Sequence, residues 1–323
     1  GDGLYRFDPH KEGSEKYTPY KIVNHERKLD ENCFFGIIQD NKYEYLWLMS
    51  TSGLYTLKYS PEKDVENVDI SHLFTESNNI YSDIIKDNAG NLWIGTFSEG
   101  VFTINFDQTP IKNYPIRSIK KEIGITTNIT VLYEDIDGDI WINQNRWGFG
   151  IYNPENDKVR FYLDYPALKN IGGIRFISCI SSFKADPGNV WVGLENEPVI
   201  YRLKKERDDI TIQEKISLNN LVKNSGRPRK FYEDRNSNIW IVTSNGLLLK
   251  HHNQNMIIPR SFSLGEITDI TEDTRGNIWV TSKKSGIYEV PIGNNQKINE
   301  SSIINYTNEN SSLKSNNIGA IYG

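Results

Sequence analysis

Three aspartates alternate in the stretch EDIDGDIW, Asp135, Asp137 and Asp139, and oxygen ligands at every second position are what a calcium loop offers. An EF-hand loop also needs glycine at its sixth position and a bidentate glutamate at its twelfth. Here Gly138 stands fourth and Arg146 stands twelfth, so the stretch reads as a structural turn. The histidines, His10, His25, His72, His251 and His252, keep no recurring spacing with a carboxylate or a cysteine. On a strand His251 and His252 point to opposite faces, a poor zinc pair. No metal and no other cofactor is expected. There is no nucleophile elbow of the G-x-S-x-G kind and no glycine-rich phosphate loop. Glu195 and Glu197 in GLENEP come nearest to a glycosidase carboxylate pair, but as neighbours on one loop they read as solvated. The chain is expected to be non-catalytic.

A second set of residues suits binding. Asn145, Arg146 and Trp147 stand together in NQNRWGFG, Arg175 and Phe176 in GGIRFI, Arg227 and Arg229 in GRPRK, and Lys283 and Lys284 in SKKSG. An indole can cover the apolar C–H face of a sugar ring, and an adjacent guanidinium can hold a carboxylate or sulfate through two parallel hydrogen bonds. The expected ligand is an oligosaccharide, with an acidic one fitting Arg146 and Trp147 best. Two plainer readings compete: Trp147 and Phe149 fold inward as a plug, and the cations are scattered solvated charges.

These residues sit on the loops of a repeat. DNAGNLWIGT, residues 87 to 96, returns in varied form around Trp47, Trp141, Trp191, Trp240 and Trp279, at intervals of roughly 40 to 50 residues. Each unit reads as a strand of apolar alternation, a tight turn rich in Asp, Gly and Asn, the Trp strand, a small loop, and two further strands. Four antiparallel strands per unit is the blade of a β-propeller. The six tryptophans are expected to pack between blades. GDGLYRFD at the start matches a third strand and NNIGAIYG at the end matches a first strand. The expected fold is therefore all-β, a single propeller over 1–323 with six whole blades and a seventh split between the termini, closed by pairing of Ile318–Tyr322 with Leu4–Asp8. That split unit has no Trp strand. Either its blade has three strands, or the chain continues past Gly323.

In such a blade the Asp–Gly turns lie on one face, and the loops joining second to third strands lie on the other with the crossovers. The second face carries the variable residues and the candidate ligand group. A net charge of −5 gives no reason to expect nucleic acid. No apolar run reaches the ~18 residues of a membrane helix, so no direct membrane insertion is expected and any export signal or anchor lies outside these residues. Cys33 and Cys179 read as two buried free thiols.

DNAGNLWIGT with SEGVFTINFD resembles the two-component regulator propeller repeat, whose pattern runs Asp, two residues, Gly, Asn, one residue, Trp-Ile-Gly-Thr, then Gly-Gly-Leu. EDTRGNIWVTSKKSGIYEV is fairly close; elsewhere Gly-Thr is replaced by Asn143-Gln144, Gly193-Leu194 and Val242-Thr243. The resemblance implies the periplasmic sensor region of a membrane-anchored hybrid histidine kinase, of the type gut Bacteroidetes use to detect products of polysaccharide breakdown. It implies as partners a second propeller of the same chain or a homodimer mate. A propeller-fold polysaccharide lyase or hydrolase is the first alternative, and a pure interaction platform the second.

Overall fold

In the computed structural model the described residues are 4–7, 17–20, 34–40, 45–50, 53–58, 67–69, 81–97, 100–104, 112–114, 129–144, 148–206, 209–251, 258–262, 264–292 and 300–323. Among them are six four-stranded antiparallel sheets and one two-stranded sheet, each built from consecutive strands. The residues fall into two compact units, Asn79–Ser263 and Gly1–Asn78 with Leu264–Gly323.

The first unit holds four of the large sheets. They are β7 (Tyr81–Lys86), β8 (Leu92–Thr96), β9 (Val101–Ile104) and β10 (Lys112–Tyr114); then β11 (Ile129–Glu134), β12 (Ile140–Gln144), β13 (Gly148–Asn153) and β14 (Lys158–Phe161). The third comprises β15 (Ile177–Phe183), β16 (Asp186–Leu194), β17 (Val199–Glu206) and β18 (Asp209–Ser217). The fourth comprises β19 (Pro228–Glu233), β20 (Ile239–Thr243), β21 (Gly246–Lys250) and β22 (Ile258–Phe262).

The second unit holds the pair β1 (Leu4–Phe7) and β2 (Tyr17–Tyr20) and two large sheets. One comprises β3 (Phe34–Asp40), β4 (Tyr45–Ser50), β5 (Gly53–Lys58) and β6 (Asn67–Asp69). The other comprises β23 (Ile267–Glu272), β24 (Ile278–Ser282), β25 (Ile287–Val290) and β26 (Ile304–Tyr306).

Trp141 and Trp191 pack as the repeat predicts. Trp141 on β12 lies in one buried cluster with Ile180, Val192 and Tyr201 of the following sheet, and Trp191 with Phe231, Ile239 and Ile241 of the sheet after that. Each buried indole removes on the order of 150 to 250 Å² from water. The glycine after the Trp-Ile pair has its own cause. A Cβ at Gly95 would stand 2.8 Å from Ile129 of the next inner strand, and one at Gly193 would stand 2.6 Å from the Cys179 sulfur. At the same register Asn143 substitutes a hydrogen bond for close approach, donating to the Ile177 carbonyl at 3.1 Å. The threonine of the signature closes the next loop: Thr96 donates to the Gly100 carbonyl at 3.0 Å, and Thr243 to that of Gly246 at 3.0 Å.

The terminal ladder is not formed among the described residues. β1 pairs with β2, and residues 313–323 make no strand. First and third strands of a blade are separated by the second, so without a Trp strand between them they have no ladder to share. Cys179 is a buried free thiol as expected, and burial pushes it up to about 12. Cys33 lies outside the described residues.

Candidate functional site

The repeated turn is a fixed structural device. In the turn after β7, the Asp87 carboxylate accepts from the Asn91 amide at 2.6 Å and from the Trp93 indole at 2.7 Å. The same indole bond recurs from Trp141 to Asp135 (2.8 Å), Trp191 to Asp186 (2.7 Å), Trp240 to Asp234 (2.9 Å) and Trp279 to Asp273 (3.0 Å). Gly90, Gly138 and Gly276 take positive φ in these turns, and Ser237 does so in the drifted copy. One aspartate thus satisfies the turn amides and the buried indole together.

The Asp135, Asp137 and Asp139 loop is a structural turn of an unforeseen kind. The ammonium of Lys205, on β17, lies 2.6 Å from Asp135, 3.1 Å from Asp137 and 2.6 Å from Asp139. The lysine side chain is only 7% exposed. Burial works against its charge, but the bonds from Asp135 and Asp139 outweigh it and hold the ammonium above the usual lysine range. Within the next sheet Arg202 grips Asp186 through two bonds of 2.6 Å. Burial opposes that carboxylate's charge, and the bonds from Arg202 and Trp191 still bring it below the usual range. Sequence reasoning missed both cations, because neither stands near its partner in the chain.

Further carboxylates join neighbouring sheets through backbone amides. Glu134 accepts from the Asn88 amide at 2.9 Å, and Glu233 from those of Lys184 and Ala185 at 2.8 Å each. On the inner strand β7, Asp83 accepts from Leu132 at 2.6 Å and Ile84 at 2.9 Å. Burial is the larger influence and pushes Asp83 up to about 6.

On the opposite ends of these sheets the candidate cations emerge. The Ser178 hydroxyl donates to the Pro228 carbonyl at 2.6 Å, which sets the starts of β15 and β19 side by side. Arg175, exposed on the short 3₁₀ turn Gly172–Arg175, precedes one start, and half-buried Arg227 precedes the other. Phe176 and Arg229 flank them and are half-buried. The structure therefore places the segments that carry Arg175 and Arg227 at the starts of neighbouring strands of this unit, with Arg229 on β19. Lys283 belongs to the other unit, exposed between β24 and β25, where its ammonium pairs with Glu266 at 2.6 Å. Asn145, Arg146 and Trp147 lie outside the described residues. Phe149 is buried and stacks on Trp141, with ring centroids 5.0 Å apart. Glu195 and Glu197 stand on the loop between β16 and β17, half-buried and exposed. Among the described residues no cluster of His, Cys, Asp and Glu is arranged to hold a metal.

Comparison with known proteins places this arrangement. Over 93% of this chain the fold is similar to the extracellular domain of a protein described as a hybrid two component system from B. thetaiotaomicron, with a TM-score of 0.69 and 19% identity. It is similar over 95% of its length to PorZ, a bacterial surface component of the type-IX secretion system of Porphyromonas gingivalis (TM-score 0.63, 16% identity). It is also similar over 85% to virginiamycin B lyase from Staphylococcus aureus (TM-score 0.61, 15% identity), of which it covers 84%. The chain spans 37% of the first of these structures and 46% of the second. Among curated proteins none matches it. One segment, which includes the Asp87 turn and the Trp93 strand, matches a family model: residues 76–98 match the two component regulator propeller.

Proposed function

We propose that this chain is a ligand-sensing β-propeller of a two-component signalling protein, seven-bladed, without catalytic activity and exposed to the periplasm. The observation that carries the reading is the regulator propeller match at residues 76–98, in a fold similar to an extracellular domain of a two component system. The ligand is an oligosaccharide with acidic groups, and its candidate contacts are Arg175, Arg227 and Arg229, together with Arg146 and Trp147 from the sequence. Support comes from the paired starts of β15 and β19, which put two guanidinium-bearing segments side by side on a rigid scaffold.

The fold also hosts a lyase, so the test must separate binding from turnover. The purified chain is incubated with digests of acidic and neutral polysaccharides, with calorimetry for binding and product analysis for turnover. Saturable binding of an acidic oligosaccharide without new product is the expected result. New product identifies an enzyme. Neither binding nor product leaves a platform that docks another propeller or a second copy.

A further inference from the structure

The crossover from β14 to β15 carries two polar groups to one strand. It forms two 3₁₀ turns, Tyr162–Asp164 and Gly172–Arg175, and both pack against β13. Buried Tyr162 and Ile174 join the cluster that holds Trp141 and Phe149. The Tyr162 ring follows Phe149 at 5.9 Å between centroids, as Phe149 follows Trp141 at 5.0 Å. Gly148, the first residue of β13, makes room for it: a Cβ there would stand 2.2 Å from the Tyr162 ring. Gly148 comes directly after residues 145–147, so the ring lies where the segment carrying Arg146 and Trp147 enters β13.

The ring of Tyr162 is held by packing, but its hydroxyl is not held at all. Tyr162 is only 6% exposed, and among the described residues its hydroxyl has no hydrogen-bond partner. A phenol buried to that degree usually has one, and leaving it without a partner costs free energy. Arg175 follows Ile174 and is exposed, and among the described residues its guanidinium makes no ion pair. Glu197, whose carboxylate would stand 3.4 Å from a Cβ at Gly173, does not pair with it either. The two groups are near enough to act on each other: burial pushes the Tyr162 phenol above the usual tyrosine range, and the Arg175 charge works against that shift.

We propose that Tyr162 and Arg175 form a two-point contact for one acidic sugar unit. The guanidinium takes the carboxylate or sulfate through two parallel hydrogen bonds, and the Tyr162 hydroxyl bonds the sugar hydroxyl beside it. Tyr162 is then a specificity-determining residue, because a ligand without that hydroxyl leaves the phenol unpaired in its buried place. The inference rests on the ligand reading above and adds the group that tells an acidic sugar from other anions.

The probes are trisaccharides of galacturonic acid and of sulfated galactose, titrated calorimetrically into the intact 323-residue chain and its Tyr162→Phe variant. The two probes separate carboxylate from sulfate. Phenylalanine keeps the ring and removes only the hydroxyl, and affinity for the probe that binds is expected to fall about five- to tenfold. Without ligand, the variant's melting temperature is expected to equal or exceed the parent's, since the hydroxyl has no partner to lose. In an Arg175→Ala chain the same substitution is expected to cost less than about twofold, because the group that sets the sugar against the phenol is gone. A lower ligand-free melting temperature identifies a structural hydrogen bond and overturns the proposal. Unchanged affinity in Tyr162→Phe, or an equal loss with and without Arg175, overturns it while the ligand reading stands. If the parent chain binds neither probe, the ligand reading fails and this inference falls with it.

Discussion

The indole N–H of Trp141 and the ammonium of Lys205 meet on one oxygen of Asp135, at 2.8 Å and 2.6 Å. A single carboxylate therefore ties a hairpin turn to a buried aromatic ring and to the adjacent sheet. The loop that could suggest calcium is served by a cation of the chain itself.

Breaking that arrangement from the lysine side is expected to be severe. Lys205→Met removes the cation from carboxylates that are 2% and 11% exposed at Asp135 and Asp139, and is expected to lower stability by about 3 to 5 kcal/mol. Asp137 is 59% exposed, so Asp137→Asn is expected to change stability by less than about 1 kcal/mol. Urea unfolding of the two variants checks the contrast.

Trp93→Ala empties a site between two sheets and is expected to lower stability by about 3 to 5 kcal/mol. Trp93→Phe keeps most of the packing and removes the bond to Asp87, for an expected loss of about 1 to 3 kcal/mol. A loss below about 1 kcal/mol for the alanine variant in chemical unfolding contradicts the role assigned to the ring.

Gly90 has φ of 88°, and a Cβ at this position would meet nothing within 4 Å. Gly90→Val is therefore expected to act through backbone strain alone, with a loss of about 1 to 2 kcal/mol, smaller than that of Trp93→Ala. Thermal unfolding of the two variants side by side gives the order.

Asp83 gives stability a pH dependence of unusual sign. Burial raises the folded carboxyl from 3.8 to about 6, with Lys230 the charged neighbour that works against the shift. Its contribution is complete below pH 3.8 and is lost as pH rises through about 6. Asp186 and Asp273, held below the usual range, contribute in the opposite sense. Asp83→Asn removes only the first of these. Relative to the parent, its melting temperature is expected to rise between about pH 4.5 and about pH 7.5, by an amount equivalent to at most about 3 kcal/mol. A pH-independent difference between the two proteins refutes the assignment.

The candidate contacts are tested at residues that carry little of the fold. Arg175→Ala is expected to weaken binding of an acidic oligosaccharide about tenfold or more, with a stability change within about 0.5 kcal/mol, because Arg175 is exposed. Trp147→Ala is expected to abolish binding with a stability loss below about 1 kcal/mol; a loss of about 3 kcal/mol instead identifies Trp147 as a packed plug. Calorimetric titration and thermal unfolding of both variants decide.

The repeat, the four strands of each unit and the place of the tryptophans can be read directly from the order of the residues. These features rest on contacts inside one hairpin: Asp87 reaches Trp93 only six residues away, and the turn conformation of Gly90 is local. Such contacts leave a regular pattern in the chain. How the sheets hold one another emerges in the folded chain alone, because those partners lie a whole repeat or more apart. Asp83 and Leu132 are separated by 49 residues and Lys205 and Asp135 by 70, and no spacing in the sequence marks either pair. The candidate contacts follow the same division. That Arg175 and Arg227 stand in variable segments was legible, since the repeat does not call for them; that their segments lead into neighbouring strands depends on Ser178 meeting Pro228 across two sheets. The place of Ile318–Gly323 was half legible. Its apolar spacing matched that of an inner strand, but the contacts with Thr268, Asp269 and Gln39 that hold it exist only in the fold.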